Sequence, residues 1–308
     1  MALARRRDFS TGAGLAPAAA TGSRSSGRGV LAALTAAVLL ASGCTASVGL
    51  EESAFPPGNL ASPTATTTPS PRLNPTPSPE ESEPRERGVL ALDPGHNGAN
   101  AAHPSEIARL VPDGAGGRKA CNTTGTATAS GYGEHAFNWD VAQRMLPILE
   151  EAGVRVVLSR DSDDGVGPCV DQRGTFAAEA GADLLLSIHA NGSENTAVHG
   201  FFVILADPPP FDGEFAEASR AFGDDIIAAL AAAGFPENSA IGPVQRRGDL
   251  SGLNHAGVPA VLIELAEMRH PEEAALAESP QGRQRYAEAL AAGVIRHLDT
   301  MQRNSRTK

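Results

Sequence analysis

Aromatic residues are scarce in this chain, at 4% of its length, so a folded core has to be assembled mostly from Ala, Val, Leu and Ile. Positive charge is short as well. The net charge is −11, and Arg5, Arg6, Arg7, Arg24 and Arg28 all precede residue 43, which leaves the rest of the chain more acidic still. That balance argues against a nucleic-acid partner, which needs a basic patch. No self-similarity recurs at the periods of solenoids or propellers. The apolar stretch 30–41 (VLAALTAAVLLA) falls short of the roughly 20 residues that a membrane-spanning helix needs. There is no H-E-x-x-H metalloprotease signature, and cysteine occurs only three times.

What is present begins with a targeting segment. An Arg-rich start, the short apolar stretch and the small residues Ala41, Ser42 and Gly43 read as a secretory signal over residues 1–43. The ending L-A-S-G-C resembles a bacterial lipobox, which would make Cys44 a lipidated first residue and anchor an exported protein to the membrane, facing the cell wall. An ordinary signal peptide cleaved near an incidental Cys44 is the alternative. Residues 44–87 form a Pro/Ser/Thr-rich linker with too few large apolar residues to offset the entropy of ordering. As an extended tether, its 40-odd residues would reach on the order of 100 Å; plain disorder with no spacing role is the other reading.

From residue 88 the pattern becomes that of one folded domain, 88–303, with a short tail at 304–308. Apolar runs at Val89–Leu92, Val154–Leu158, Leu184–Ile188, Phe201–Leu205 and Ala260–Ile263 predict strands. Helical patterns over 134–152, 171–181, 213–233 and 280–302 alternate with them, the first closed by Gly153 and the third by Gly234. Strands alternating with helices predict an α/β layer fold around a mostly parallel sheet buried on both faces.

Three of these runs end in a chemically able side chain: His96, His189 and Glu264. Ligands in open α/β sheets bind beyond the carboxyl ends of the strands, so the three point to one site. Glu134 joins them, because it shares a helix face with Phe137, Val141, Met145 and Ile148, and a carboxylate turned toward a core needs a partner or a metal. Two imidazoles and a carboxylate suit a tetrahedral zinc with its fourth position open. Each residue also has a bland reading: Glu134 as an acid favoured by the helix dipole, and each His as a structural group.

The motifs V-L-A-L-D-P-G-H-N-G (89–98), G-E-H-A-F-N (133–138), S-I-H-A-N (187–191) and P-A-V-L-I-E-L (259–265) resemble, in order and across nearly the whole domain, those of the zinc N-acetylmuramoyl-L-alanine amidases of the amidase_3 type. Gly252-Leu253-Asn254 resembles the actinobacterial members most. The resemblance implies a twisted, mixed, mostly parallel six-stranded sheet flanked by helices. It implies one Zn2+ per chain held by His96, Glu134 and His189, with Glu264 as the catalytic carboxylate. The substrate implied is peptidoglycan or a muropeptide, cut at the amide between the lactyl group of N-acetylmuramic acid and L-alanine. The segment Ala266-Glu267-Met268-Arg269-His270 departs from the family pattern, which leaves substrate preference open there and makes Glu267 a rival to Glu264 as the base. Only 190–199 joins His189 to the next strand, too short for the inhibitory helix of some members, so an open site is expected.

Asp93 reads either as support for His96 or as a turn residue before Pro94. Arg160 and Arg173 match family positions and read as loop supports. His103, His199, His270 and His297 read as surface groups; His135 points about 100° around its helix from Glu134, and His255 stands within possible reach of substrate. In an exported protein, Cys121 and Cys169 suggest one disulfide, with two free thiols as the alternative. Two rival functions remain: a zinc peptidase acting on the stem peptide, and a catalytically silent peptidoglycan-binding lipoprotein. A monomer is the default.

Overall fold

The computed structural model describes residues 86–307. The signal segment, Cys44 and the linker as far as residue 85 lie outside the described residues. In chain order the elements are β1 (Gly88–Pro94), the helical turn α1 (Pro104–Ile107), β2 (Leu110–Pro112), β3 (Arg118–Ala120), α2 (Glu134–Glu151), β4 (Val154–Leu158) and α3 (Gln172–Glu179). They continue with β5 (Leu184–Asn191), β6 (Phe202–Ala206), α4 (Ala216–Ala232), β7 (Val244–Arg247), the turn α5 (Ser251–Asn254), β8 (Ala260–Glu267), α6 (Pro271–Glu278) and α7 (Pro280–Arg306).

Six strands form one sheet in the order β4-β1-β5-β8-β6-β7, while β2 and β3 make a separate antiparallel hairpin. β4, β1, β5 and β8 run parallel; β6 is antiparallel to β8 and parallel to β7. This is the mixed, mostly parallel six-stranded sheet that the resemblance implies. Parallel neighbours need crossovers, and α2, α3 and α4 supply apolar faces that cover the sheet.

Because side chains alternate along a strand, each strand feeds two cores. Leu90, Leu92, Leu184, Leu186, Ile188, Val261 and Ile263 pack against α2, α4 and α7. The few aromatics collect there: Phe137 meets Tyr286 edge-on at 5.7 Å and Phe235 stacks on Tyr286 at 4.2 Å. Val89, Ala91, Leu185, Phe202, Ala260 and Leu262 face the other way, toward the thinner cover of α3 and α5. Asp93, Ser187, His189 and Glu264 continue that second alternation, so the polar ends of three parallel strands emerge on the thinly covered face.

The main helices and strands lie where the periodicity places them. Gly153 and Gly234 take positive φ (77° and 83°), the left-handed turn that follows a helix end. β5 and β8 run beyond their apolar segments to Asn191 and Glu267, which brings His189 and Glu264 into the sheet itself. α7 extends to Arg306, past the end of the pattern. The hairpin, β7, α5 and α6 are additions that the pattern does not announce. His297 is a correction. It is buried rather than on the surface, paired with Asp225 at 2.8 Å and packed on Phe222.

Candidate metal centre

His96, Glu134 and His189 converge from three distant parts of the chain, with one donor atom of each within 4.8 Å of the others. His96 Nε2 lies 3.1 Å and His189 Nδ1 2.9 Å from the same carboxylate oxygen, Glu134 Oε1. The two imidazoles stand nearly perpendicular, at 82°, so neither ring blocks the other's nitrogen.

Each side chain is held by backbone. His96 sits just past β1 with a positive φ of 61°, and its Nδ1 is engaged with the Thr123 carbonyl at 3.1 Å. Its other nitrogen is thereby left for a metal. Glu134 opens α2, where its amide donates to the Thr126 carbonyl at 2.9 Å. The Thr126 amide donates back to Glu134 Oε2 at 2.9 Å, and the Ala190 amide donates to Oε1 at 3.2 Å. Two glycines make room. A Cβ on Gly95 would lie 2.2 Å from the His189 ring, and one on Gly125 2.7 Å from Glu134 Oε2. Gly125 also has φ +77°, which a side chain would strain.

Burial alone would push the Glu134 carboxyl up; the charge of His96 and hydrogen bonds from both imidazoles outweigh it and hold that carboxyl well below the ordinary range. His189 is depressed, chiefly by burial. His96 shifts the other way: burial would lower it, but the charge and hydrogen bond of Glu134 and the Thr123 carbonyl raise it, so a metal binding here must displace a proton that the metal-free cluster favours on His96.

Glu264 is the register partner of His189 on the neighbouring strand and lines the same cleft, of about 550 Å³. Its Oε2 is buried without a hydrogen-bond partner. Burial, and then the negative charge of Glu134, raise its carboxyl well above the usual value. Glu267 has the opposite environment. It accepts from Asn191 Nδ2 (2.7 Å), the Ser193 amide (2.9 Å) and Asn238 Nδ2 (3.0 Å), and does not line the cleft. Its bonds are spent on holding the end of β5, the Ser193 loop and Asn238 together.

Asp93 takes the supporting role, at one remove, rather than that of a turn residue. It is buried, pairs with Arg173 at 2.5 Å and accepts from Ser159 and Ser187. Arg173 in turn donates to the carbonyls of Pro94, His96 and Gly167, so Asp93 supports His96 only through Arg173. Arg160 likewise grips the Pro94 and His135 carbonyls. His135 turns away to Asp163, at 2.7 Å. His255 bonds Ser251 and does not line the cleft.

Cys121 and Cys169 form a disulfide across 48 residues, with Cα atoms 4.3 Å apart. It ties down the rim: Val170 donates to the Cys121 carbonyl at 2.7 Å, and Asn122, Thr123 and Val170 line the cleft. Thr126, Lys119, Arg247 and Asp249 also line it and carry no recognisable signal in the sequence, because tertiary contact alone brings them there.

The sequence and fold have close counterparts among known proteins. The family model described as N-acetylmuramoyl-L-alanine amidase matches residues 90–296. The chain is 42% identical over 214 residues to the N-acetylmuramoyl-L-alanine amidase Rv3717 of Mycobacterium tuberculosis, covering 69% of this chain and 87% of that one. Its fold is similar to the crystal structure of the amidase Ami1 from Mycobacterium smegmatis, with a TM-score of 0.66, 40% identity and coverage of 70% of this chain and 98% of that one. The apo amidase Ami1 from Mycobacterium abscessus gives a TM-score of 0.65 at 39% identity, covering 70% of this chain and 100% of that one.

Proposed function

We infer the reaction from one premise: the chain belongs to the N-acetylmuramoyl-L-alanine amidase family. It is an amide hydrolase of peptidoglycan, cutting between the lactyl group of N-acetylmuramic acid and L-alanine. His96, Glu134 and His189 hold one zinc ion, and Glu264 is the general base. Two imidazole nitrogens and a carboxylate oxygen are a donor set that zinc accepts, and their mutual distances fit one ion. Three protein ligands leave a position for water or substrate.

Zinc held by these three residues would supply Lewis acidity for the scissile carbonyl and for an attacking water. The remaining work falls to the chain. Glu264 takes the proton of the attacking water and passes it to the amine of the departing alanine. Its raised carboxyl suits a group that must both accept and return a proton. The Thr126 and Ala190 amides orient Glu134, and Arg173 and Thr123 fix His96 from behind.

The observation that carries the reading is the placement of an unpartnered Glu264 in register with His189, beside a three-donor cluster. The test is digestion of purified muropeptides with metal-quantified protein, read by mass spectrometry. The expected result is one zinc per chain and products with a free lactyl carboxyl and a free alanine amine. Cleavage inside the stem peptide would replace the reading with that of a peptidase; no cleavage at all would leave a binding protein.

The cell address belongs to the same proposal. The protein is exported, and lipidation at Cys44 tethers the catalytic domain as a monomer through the linker to the membrane surface. No described helix is long and apolar enough to cross a membrane.

A further inference from the structure

We propose that Arg269 binds a carboxylate on the peptide side of the substrate and so sets which stem peptides are preferred. The inference rests on the amidase reading and names a residue of specificity within it. Beside the metal cleft lies a second cavity of about 680 Å³, lined among others by Asn97, Thr124, Thr128, His135, Thr196 and Arg269. The two cavities share Gly125, Thr126 and Arg269, so a substrate seated on the metal side continues past Arg269 into the second.

Charge separates the two cavities. Asp93, Glu134, Asp249 and Glu264 line the metal cleft, whereas no acidic side chain lines the second. In a chain of net charge −11, a polar cavity with no acid in its wall and a guanidinium at its mouth favours an anion. The other cations of the cleft are already engaged. Arg247 bonds Asp249 through two nitrogens at 2.9 and 2.7 Å, Lys119 donates to the Asp249 carbonyl, and Arg173 pairs with Asp93. Arg269 is exposed and makes no ion pair or side-chain hydrogen bond among the described residues. At the same junction the Thr126 hydroxyl is buried without a partner.

The chemistry of the substrate selects the side. The carboxyl of the muramoyl group is consumed in the amide to be cut, so the sugar side is neutral. Free carboxylates stand only along the peptide. A guanidinium at the junction of the two cavities therefore reads the leaving peptide.

Two synthetic N-acetylmuramoyl dipeptides test this, differing only in whether the carboxyl groups of the second residue are free or amidated. Zinc-loaded wild type should cleave the free acid with a kcat/KM roughly 3- to 10-fold higher, mostly through KM, as one exposed charged contact supplies. Arg269→Gln should bring that ratio to about one, Arg269→Lys should keep part of it, and added salt should erode it in wild type. An exposed position tolerates these changes without unfolding. A wild-type ratio of one, or a preference that survives in Arg269→Gln, overturns the assignment. If wild type cuts neither compound at the lactyl amide, it is the amidase reading that fails.

Discussion

The two sides of the metal cleft are built on opposite principles. On one side, His96, Glu134 and His189 are held by the Thr123 carbonyl, the Thr126 and Ala190 amides and two glycines with no room for a side chain. On the other, Glu264 leaves a buried oxygen with no partner at all. Ligands gain from being fixed before the metal arrives, since ordering them at binding would cost affinity. A group that has to accept and release a proton gains from the reverse, because a hydrogen bond to its ionised form would lower its basicity. The difference teaches that satisfaction of hydrogen bonds, more than residue type, separates the two glutamates of the site.

The sharpest way to break this contrast is Glu264→Gln. Zinc content should stay at one per chain while kcat falls by about 10² to 10⁴, the usual contribution of a general base. Retained activity would remove Glu264 from catalysis; lost zinc would move it to the ligand side.

Replacing both Cys121 and Cys169 with Ser loosens the rim without touching either set of residues. Opening a 48-residue loop should cost about 2–4 kcal/mol and lower Tm by roughly 10 °C. Zinc stoichiometry should hold, since no ligand is anchored by the bridge itself. An unchanged Tm with and without reductant would mean that the bridge contributes nothing to stability.

Gly125→Ala probes the fixed side directly. Its Cβ would press on Glu134 Oε2 and His96 in a backbone conformation that alanine resists. Zinc affinity should fall by about 10- to 100-fold, the range for disturbed ligand support, with little change in the fold as read by circular dichroism. Unaltered affinity would show that the ligands tolerate slack.

These contrasts also mark what the sequence reveals. β1, β5 and β8 are legible because strands buried on both faces are continuous apolar runs, and the polar residues that end them stand out. Glu134 is legible as an acid on an apolar helix face. The antiparallel direction of β6 is not, since an apolar run marks a strand and not its orientation, and neither is the outer strand β7 (Val-Gln-Arg-Arg), which carries little apolar signal. Asp93 has two local readings, and only its contact with Arg173, 80 residues away, shows that it supports His96 indirectly. Glu267 and Glu264 look alike on one strand; only Asn191, Ser193 and Asn238, gathered by folding, distinguish them.

The smallest effect tests the same contrast through stability, with the metal removed. For Glu264, whose carboxyl is raised in the folded state, the favourable contribution is full below the ordinary value of ~4.3 and is lost as pH rises through the folded value. At neutral pH the unfolded chain ionises this carboxyl freely while the metal-free fold resists it, so Glu264→Gln should raise Tm by a few degrees, a gain that shrinks toward pH 4. Asp93 has the opposite sign. Against burial, Arg173 and the Ser159 and Ser187 hydroxyls hold its carboxyl low, so its contribution persists above ~3.9 and is lost as pH falls through the folded value. Asp93→Asn should accordingly lower Tm at neutral pH, leaving the buried guanidinium of Arg173 without its counter-charge. Scanning calorimetry of both variants after chelation reads the two signs together. If Glu264→Gln destabilises the metal-free protein at pH 7 as Asp93→Asn does, then Glu264 is a satisfied structural acid, and the two sides of the cleft do not differ as argued.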